Sequence, residues 1–182
     1  MKKINIAVCG SNASGLPKSF NNKAQEVGAE IARNKATLFT GVTTGFSYEA
    51  VKGAHKNKGK IVGITGAESE DEHKERYEKV DLKFWNPIIY TGVGYKMRDI
   101  IMIRSVDAAV YIGGGVGTMV EMAAAPDSHT VMGILEDSGG ATELIEFIEE
   151  ISHRNKPVVV REKDPKKLVA AVIRAVKEKS NV

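Results

Sequence analysis

Residues 107–121 read DAAVYIGGGVGTMVE. The first six, Asp107–Ile112, form a short apolar run of strand length and strand composition. Four glycines then fall within five positions, at 113, 114, 115 and 117, and Met119–Ala125 reads as a short helix. Glycine costs chain entropy on folding, so this density marks a backbone under a special demand: a close ligand or a tight turn. A strand that passes through glycines into a helix is the repeating unit of an α/β protein.

The same unit recurs along the chain. Ile4–Cys9, Ala36–Thr40, Lys60–Thr65, Pro87–Thr91, Thr130–Leu135 and Pro157–Arg161 read as further strands. Between them, Phe20–Asn34, Gly45–Lys58, Tyr95–Arg104, Ala141–His153 and Asp164–Lys179 read as helices, the last opening with an aspartate cap and a proline at its first position. Continuous apolar strands alternating with amphipathic helices predict a parallel sheet covered on both faces. The expectation is an α/β protein: one Rossmann-like, doubly wound parallel sheet of about seven strands with helices on both faces, in a single domain over 1–182. Residues 66–83, GAESEDEHKERYEKVDLK, interrupt this rhythm with dense charge. They read as a solvated loop or exposed helix, or alternatively as a lid.

The chain has 182 residues, 42% hydrophobic and 27% charged, with a net charge of +3. Such a mild, interspersed excess welcomes small acidic ligands but lacks the polycation of a nucleic-acid binder. One cysteine, Cys9, excludes a disulfide within the chain, and the expected compartment is the cytoplasm. No apolar run nears the roughly 18 residues of a membrane span. The start MKKINIAVCG reads as a first strand, not a leader. His55, His73, His129 and His153 are scattered at no ligand spacing, so neither a metal nor another cofactor is expected.

Ligands of open parallel sheets bind beyond the carboxyl ends of the strands. Strand one exits into Gly10 and Ser11, and strand two into Gly41, Thr43 and Thr44. Strand four exits just before Arg98, and strand five into Gly114, Gly115, Gly117 and Thr118, with Glu121 beyond. Glycines, hydroxyls and helix starts gathered at one edge describe an anion site, and Arg98 adds a fork suited to phosphate. The standard fingerprints fail. Leu16-Pro17 stands where a Walker A loop needs Lys-Ser/Thr, and Thr118 stands where G-x-G-x-x-G needs its last glycine. Thr118 and Glu121 also have the spacing of a capping box, a purely structural alternative. Placed at a helix N-terminus, Glu121 would be expected to ionise readily.

The block Tyr95-Lys96-Met97-Arg98-Asp99-Ile100-Ile101-Met102, then Ser105-Val106-Asp107-Ala108-Ala109 and GGGVGTMVE, resembles the LONELY GUY (LOG) family, once labelled "possible lysine decarboxylase". The similarity extends to residues 8–11 and 41–54. It implies a Rossmann-like fold, a homodimer or larger assembly, and hydrolysis of the N-glycosidic bond of a nucleoside 5′-monophosphate. It implies a catalytic pair at Arg98 and Glu121 and a phosphate site at Gly114, Gly115, Gly117 and Thr118. Nothing marks a lysine as a pyridoxal-phosphate anchor, so the decarboxylase label finds no support. The chain departs from the pattern at Gly113 for proline, Val116 for tyrosine, Asp99 for lysine, and in Thr40–Tyr48. In this it is closer to the broader relatives of LOG, which include molybdenum-cofactor carrier proteins. The alternative function is therefore a non-catalytic carrier of a nucleotide or other phosphorylated ligand. The DNA-processing protein DprA shares the fold type, but the basic surface of a DNA binder is not evident.

Overall fold

A computed structural model describes residues 3–10, 19–76 and 80–180. Seven strands form one parallel sheet: β1 Asn5–Cys9, β2 Thr37–Thr40, β3 Lys60–Thr65, β4 Ile88–Tyr90, β5 Ala108–Tyr111, β6 Val131–Leu135 and β7 Val159–Glu162. Their order is β4-β3-β2-β1-β5-β6-β7. The chain winds outward from β1 in one direction, then returns to lay β5 on its other side, in register through Cys9 and Tyr111. That reversal opens a crevice between the carboxyl ends of β1 and β5.

The helices are α1 Ser19–Arg33, α2 Phe46–Lys56, α3 Glu70–Arg76, α4 Gly94–Arg104, α5 Val116–Ala124, α6 Ile145–Ile151 and α7 Pro165–Lys179. Each central strand feeds two cores through its two-residue period. Ile6 and Val8 join Phe20, Val27, Phe46 and Leu168 beneath α1, α2 and α7. Ala7 and Cys9 join Met102, Met122, Tyr111 and Ile148 beneath α4, α5 and α6. Burial on both faces is why β1 and β5 read as unbroken apolar runs.

The structure moves three expected boundaries. Helix α5 starts at Val116, three residues before Met119. The segment expected as one helix from Ala141 is a 3-10 turn, Gly140–Leu144, followed by the shorter α6. The charged stretch holds α3, with an exposed Arg76–Glu72 pair at 3.3 Å, and a 3-10 turn at Leu82–Phe84. Asp164 caps α7 as expected, accepting from Lys167 N at 2.8 Å. No helix among the described residues is long and apolar enough to cross a membrane.

Candidate functional site

A cavity of about 510 Å³ lies at the β1/β5 reversal. Three helices begin on it: α2 through Thr43, Thr44 and Ser47, α4 through Tyr95 and Lys96, and α5 through Gly115–Thr118. None of these three starts is capped by a side chain of its N-cap residue. The first turn of a helix has N–H groups with no intrahelical acceptor and carries partial positive charge. Three such ends face one space, an arrangement that suits an anionic ligand.

The glycine loop feeding α5 is held from behind. Gly113 N donates to Ser138 Oγ at 2.9 Å, and Ala141 N donates to Gly114 O at 3.0 Å. Gly114 has φ +97°, and a Cβ there would sit 2.2 Å from Thr118 Oγ1, so only glycine fits without strain. Gly115 has nothing within 4 Å of such a Cβ: its free face opens to the cavity.

Arg98, Asp99 and Glu121 lie together at the depth of this space, 4%, 5% and 7% exposed. Adjacent helix positions point about 100° apart, so Arg98 and Asp99 would not ordinarily share a target. Here the Arg98 guanidinium folds against Gly41, where a Cβ would fall 1.3 Å from Nη1. Its Nε is 3.3 Å from Asp99 Oδ1, yet Nε makes no hydrogen bond among the described residues. The Tyr95 ring lies 5.7 Å from the guanidinium carbon, within cation–π range.

Glu121 lies in the second turn of α5 and lines the cavity together with Cys9, which ends β1. Tyr111 Oη donates to the Glu121 carbonyl at 3.3 Å. Burial, then the charge of Asp99, pushes the Glu121 carboxyl up to about 8; Arg98 and Cys9 pull the other way and lose. This corrects the expectation of a readily ionised glutamate. A helix dipole contributes about 0.3–1 kcal/mol within the first turn, whereas a shift of this size corresponds to roughly 5 kcal/mol. The capping box is also absent, because the cap position is Gly115 and Thr118 is already inside the helix. Burial raises the Asp99 carboxyl against the opposing pull of Arg98 and Lys96. Burial likewise raises the Cys9 thiol, with Glu121 second, and leaves it a neutral core group.

Of the residues singled out in the sequence, Gly10, Gly41, Thr43, Thr44, Gly115, Gly117, Thr118, Arg98 and Glu121 all line the cavity. Gly114 lies behind it, on a neighbouring hollow of about 310 Å³ with Met119 and Leu144. Ser11 falls outside the described residues. None of the described residues in 66–83 lines the cavity, so a lid there finds no support. Sequence reasoning missed Asp99 as a site residue, although its departure from the family lysine was the visible signal. No cluster of three metal-ligating side chains occurs among the described residues.

A parallel sheet with a crevice at the strand reversal, floored by a glycine-opened helix and lined by a buried arginine and a buried glutamate, defines a Rossmann-like protein of the LOG type. The chain belongs to the SLOG cluster4 family, whose pattern matches residues 3–169. No curated protein matches it significantly. Among solved structures it is similar to TM1055, a structural-genomics target, with a TM-score of 0.79 at 21% identity over 96% of this chain and 99% of that one. It is similar to the molybdenum cofactor carrier protein of Chlamydomonas reinhardtii, with a TM-score of 0.76 at 26% identity over 97% and 99%. It is also similar to the molybdenum cofactor binding protein of the phototrophic bacterium Rippkaea orientalis, with a TM-score of 0.75 at 24% identity over 97% and 99%.

Proposed function

We propose that the cavity binds a nucleoside 5′-monophosphate and hydrolyses its N-glycosidic bond, releasing base and ribose 5-phosphate. The observation that carries this reading is the convergence of a buried arginine and a buried glutamate on a space walled by three uncapped helix starts. Phosphate suits the helix N–H groups. Cleaving the C1′–N bond leaves negative charge on the base and positive charge on the sugar. Glu121, held neutral by burial, is suited to give its proton to the departing nitrogen. Water then adds its oxygen to C1′, and the proton it sheds restores Glu121, so atoms and charge balance. Arg98 lowers the cost of the carboxylate that forms transiently on Glu121.

The test is release of free base from a panel of ribonucleoside monophosphates, followed by chromatography. Wild type should release base from at least one, and Glu121→Gln should lose it by about 10²-fold or more, the weight of a general acid. Equal release by the variant would remove Glu121 from the chemistry.

A second reading is a carrier of a phosphorylated ligand such as molybdenum cofactor. It is favoured by the likeness to the Chlamydomonas carrier over nearly the whole of both chains. Mass spectrometry of ligand retained on the purified protein, together with no base release from any nucleotide, would select this reading.

A further inference from the structure

Asp99 lines the cavity beside Arg98. It is 5% exposed; Arg98 Nε approaches it at 3.3 Å without a hydrogen bond, and Lys96 acts on it after Arg98. A carboxyl group has two acceptor oxygens, and a cavity wall that holds one presents them to the donors of whatever fills the space. Its Oδ2 lies 3.9 Å from where a Cβ on Gly117 would be, so it faces the first turn of α5 across the cavity floor. Asp99 also offsets the buried guanidinium of Arg98. A phosphate set against it would meet like charge in a water-poor space. The part of a nucleotide that suits this position is therefore uncharged and rich in O–H donors. Two vicinal hydroxyls offer two donors at the spacing of two carboxyl oxygens.

We propose that Asp99 determines which ligands this cavity accepts, its carboxyl oxygens receiving the vicinal hydroxyls of the ligand's ribose while the phosphate keeps to the uncapped helix starts. This rests on the nucleotide reading above and adds to it a demand for ribose over deoxyribose.

Calorimetric binding of the 5′-monophosphates of adenosine, guanosine and cytidine, each against its 2′-deoxy counterpart, tests this on wild type, Asp99→Ala and Asp99→Asn. Wild type should prefer the ribonucleotide by about tenfold or more, the weight of one hydrogen bond to a charged group. Asp99→Ala should bind both forms within about threefold of each other, through loss of ribonucleotide affinity alone. Should the alanine variant not fold, Asp99→Asn, which keeps the volume, should show the same direction with a smaller change. An unchanged ribo-to-deoxy ratio in a folded variant overturns the proposal. So does a wild type that binds both sugars equally, and both results leave nucleotide binding standing. A variant that alters preference between bases but not between sugars places Asp99 at the base and overturns it as well. Binding of no nucleotide at all overturns the proposal and the nucleotide reading together.

Discussion

Replacing Glu121 by glutamine should stabilise the protein, and should do so more as the pH rises. The folded carboxyl holds its proton up to about pH 8, against an ordinary value of 4.5. Between these limits the native state binds a proton that the unfolded chain has released. Stability then falls as pH rises, because the unfolded state binds fewer protons than the native one. The slope is about 1.4 kcal/mol per pH unit for one fully linked group, and the whole window spans on the order of 5 kcal/mol. Glutamine resembles the neutral carboxyl in shape and has no proton to lose, so it escapes this penalty. Urea unfolding at pH 5, 6, 7 and 8 gives the stability of each protein, and the variant-minus-wild-type difference cancels most other titrations. That difference should be near zero or negative at pH 5 and grow to about 3 kcal/mol or more by pH 8, a large part of a typical domain's 5–15 kcal/mol. A difference that stays flat from pH 5 to 8 would mean that Glu121 is ionised in the native protein. The assignment of a proton-holding carboxyl would then be wrong, and with it the general-acid role.

Gly41→Ala should leave the fold nearly intact but cut affinity for a nucleoside 5′-monophosphate about tenfold or more, because its methyl group would occupy the space of Arg98 Nη1; titration with adenosine 5′-monophosphate beside a thermal melt separates the two effects. Cys9 is 1% exposed and its thiol is held neutral, so a thiol-specific dye should label it only as fast as the protein opens. Labelling at the rate of a free thiol in native buffer would place that side chain at the surface.

The sheet was legible because its central strands are buried on both faces, which leaves apolar runs such as INIAVC and DAAVYI with little else to be. The gathering of loops at one edge follows from parallel topology, and so the sequence alone brings Gly41, Thr43, Arg98 and Glu121 together. The start of α5 was harder. Val116-Gly117-Thr118 has neither apolar period nor good helix propensity, and its helical conformation comes from the tethered loop before it. The same tether, Ala141 N to Gly114 O, holds the segment after β6 in a 3-10 turn that its composition does not announce. The protonation of Glu121 was out of reach, since it depends on burial and on Asp99, a residue 22 positions earlier. Asp99 itself was passed over because neighbours on a helix usually face different surroundings.

The hydrogen bonds from Gly113 to Ser138 and from Ala141 to Gly114 fix the glycine loop on the side away from the cavity. Many phosphate-gripping loops become ordered only around their cargo, and that ordering is subtracted from affinity. On the proposed phosphate role, this loop is assembled beforehand by the two bonds behind it. Empty and occupied forms should superpose along residues 113–118, association should proceed without a slow rearrangement, and the free energy of contact should reach the ligand almost undiminished.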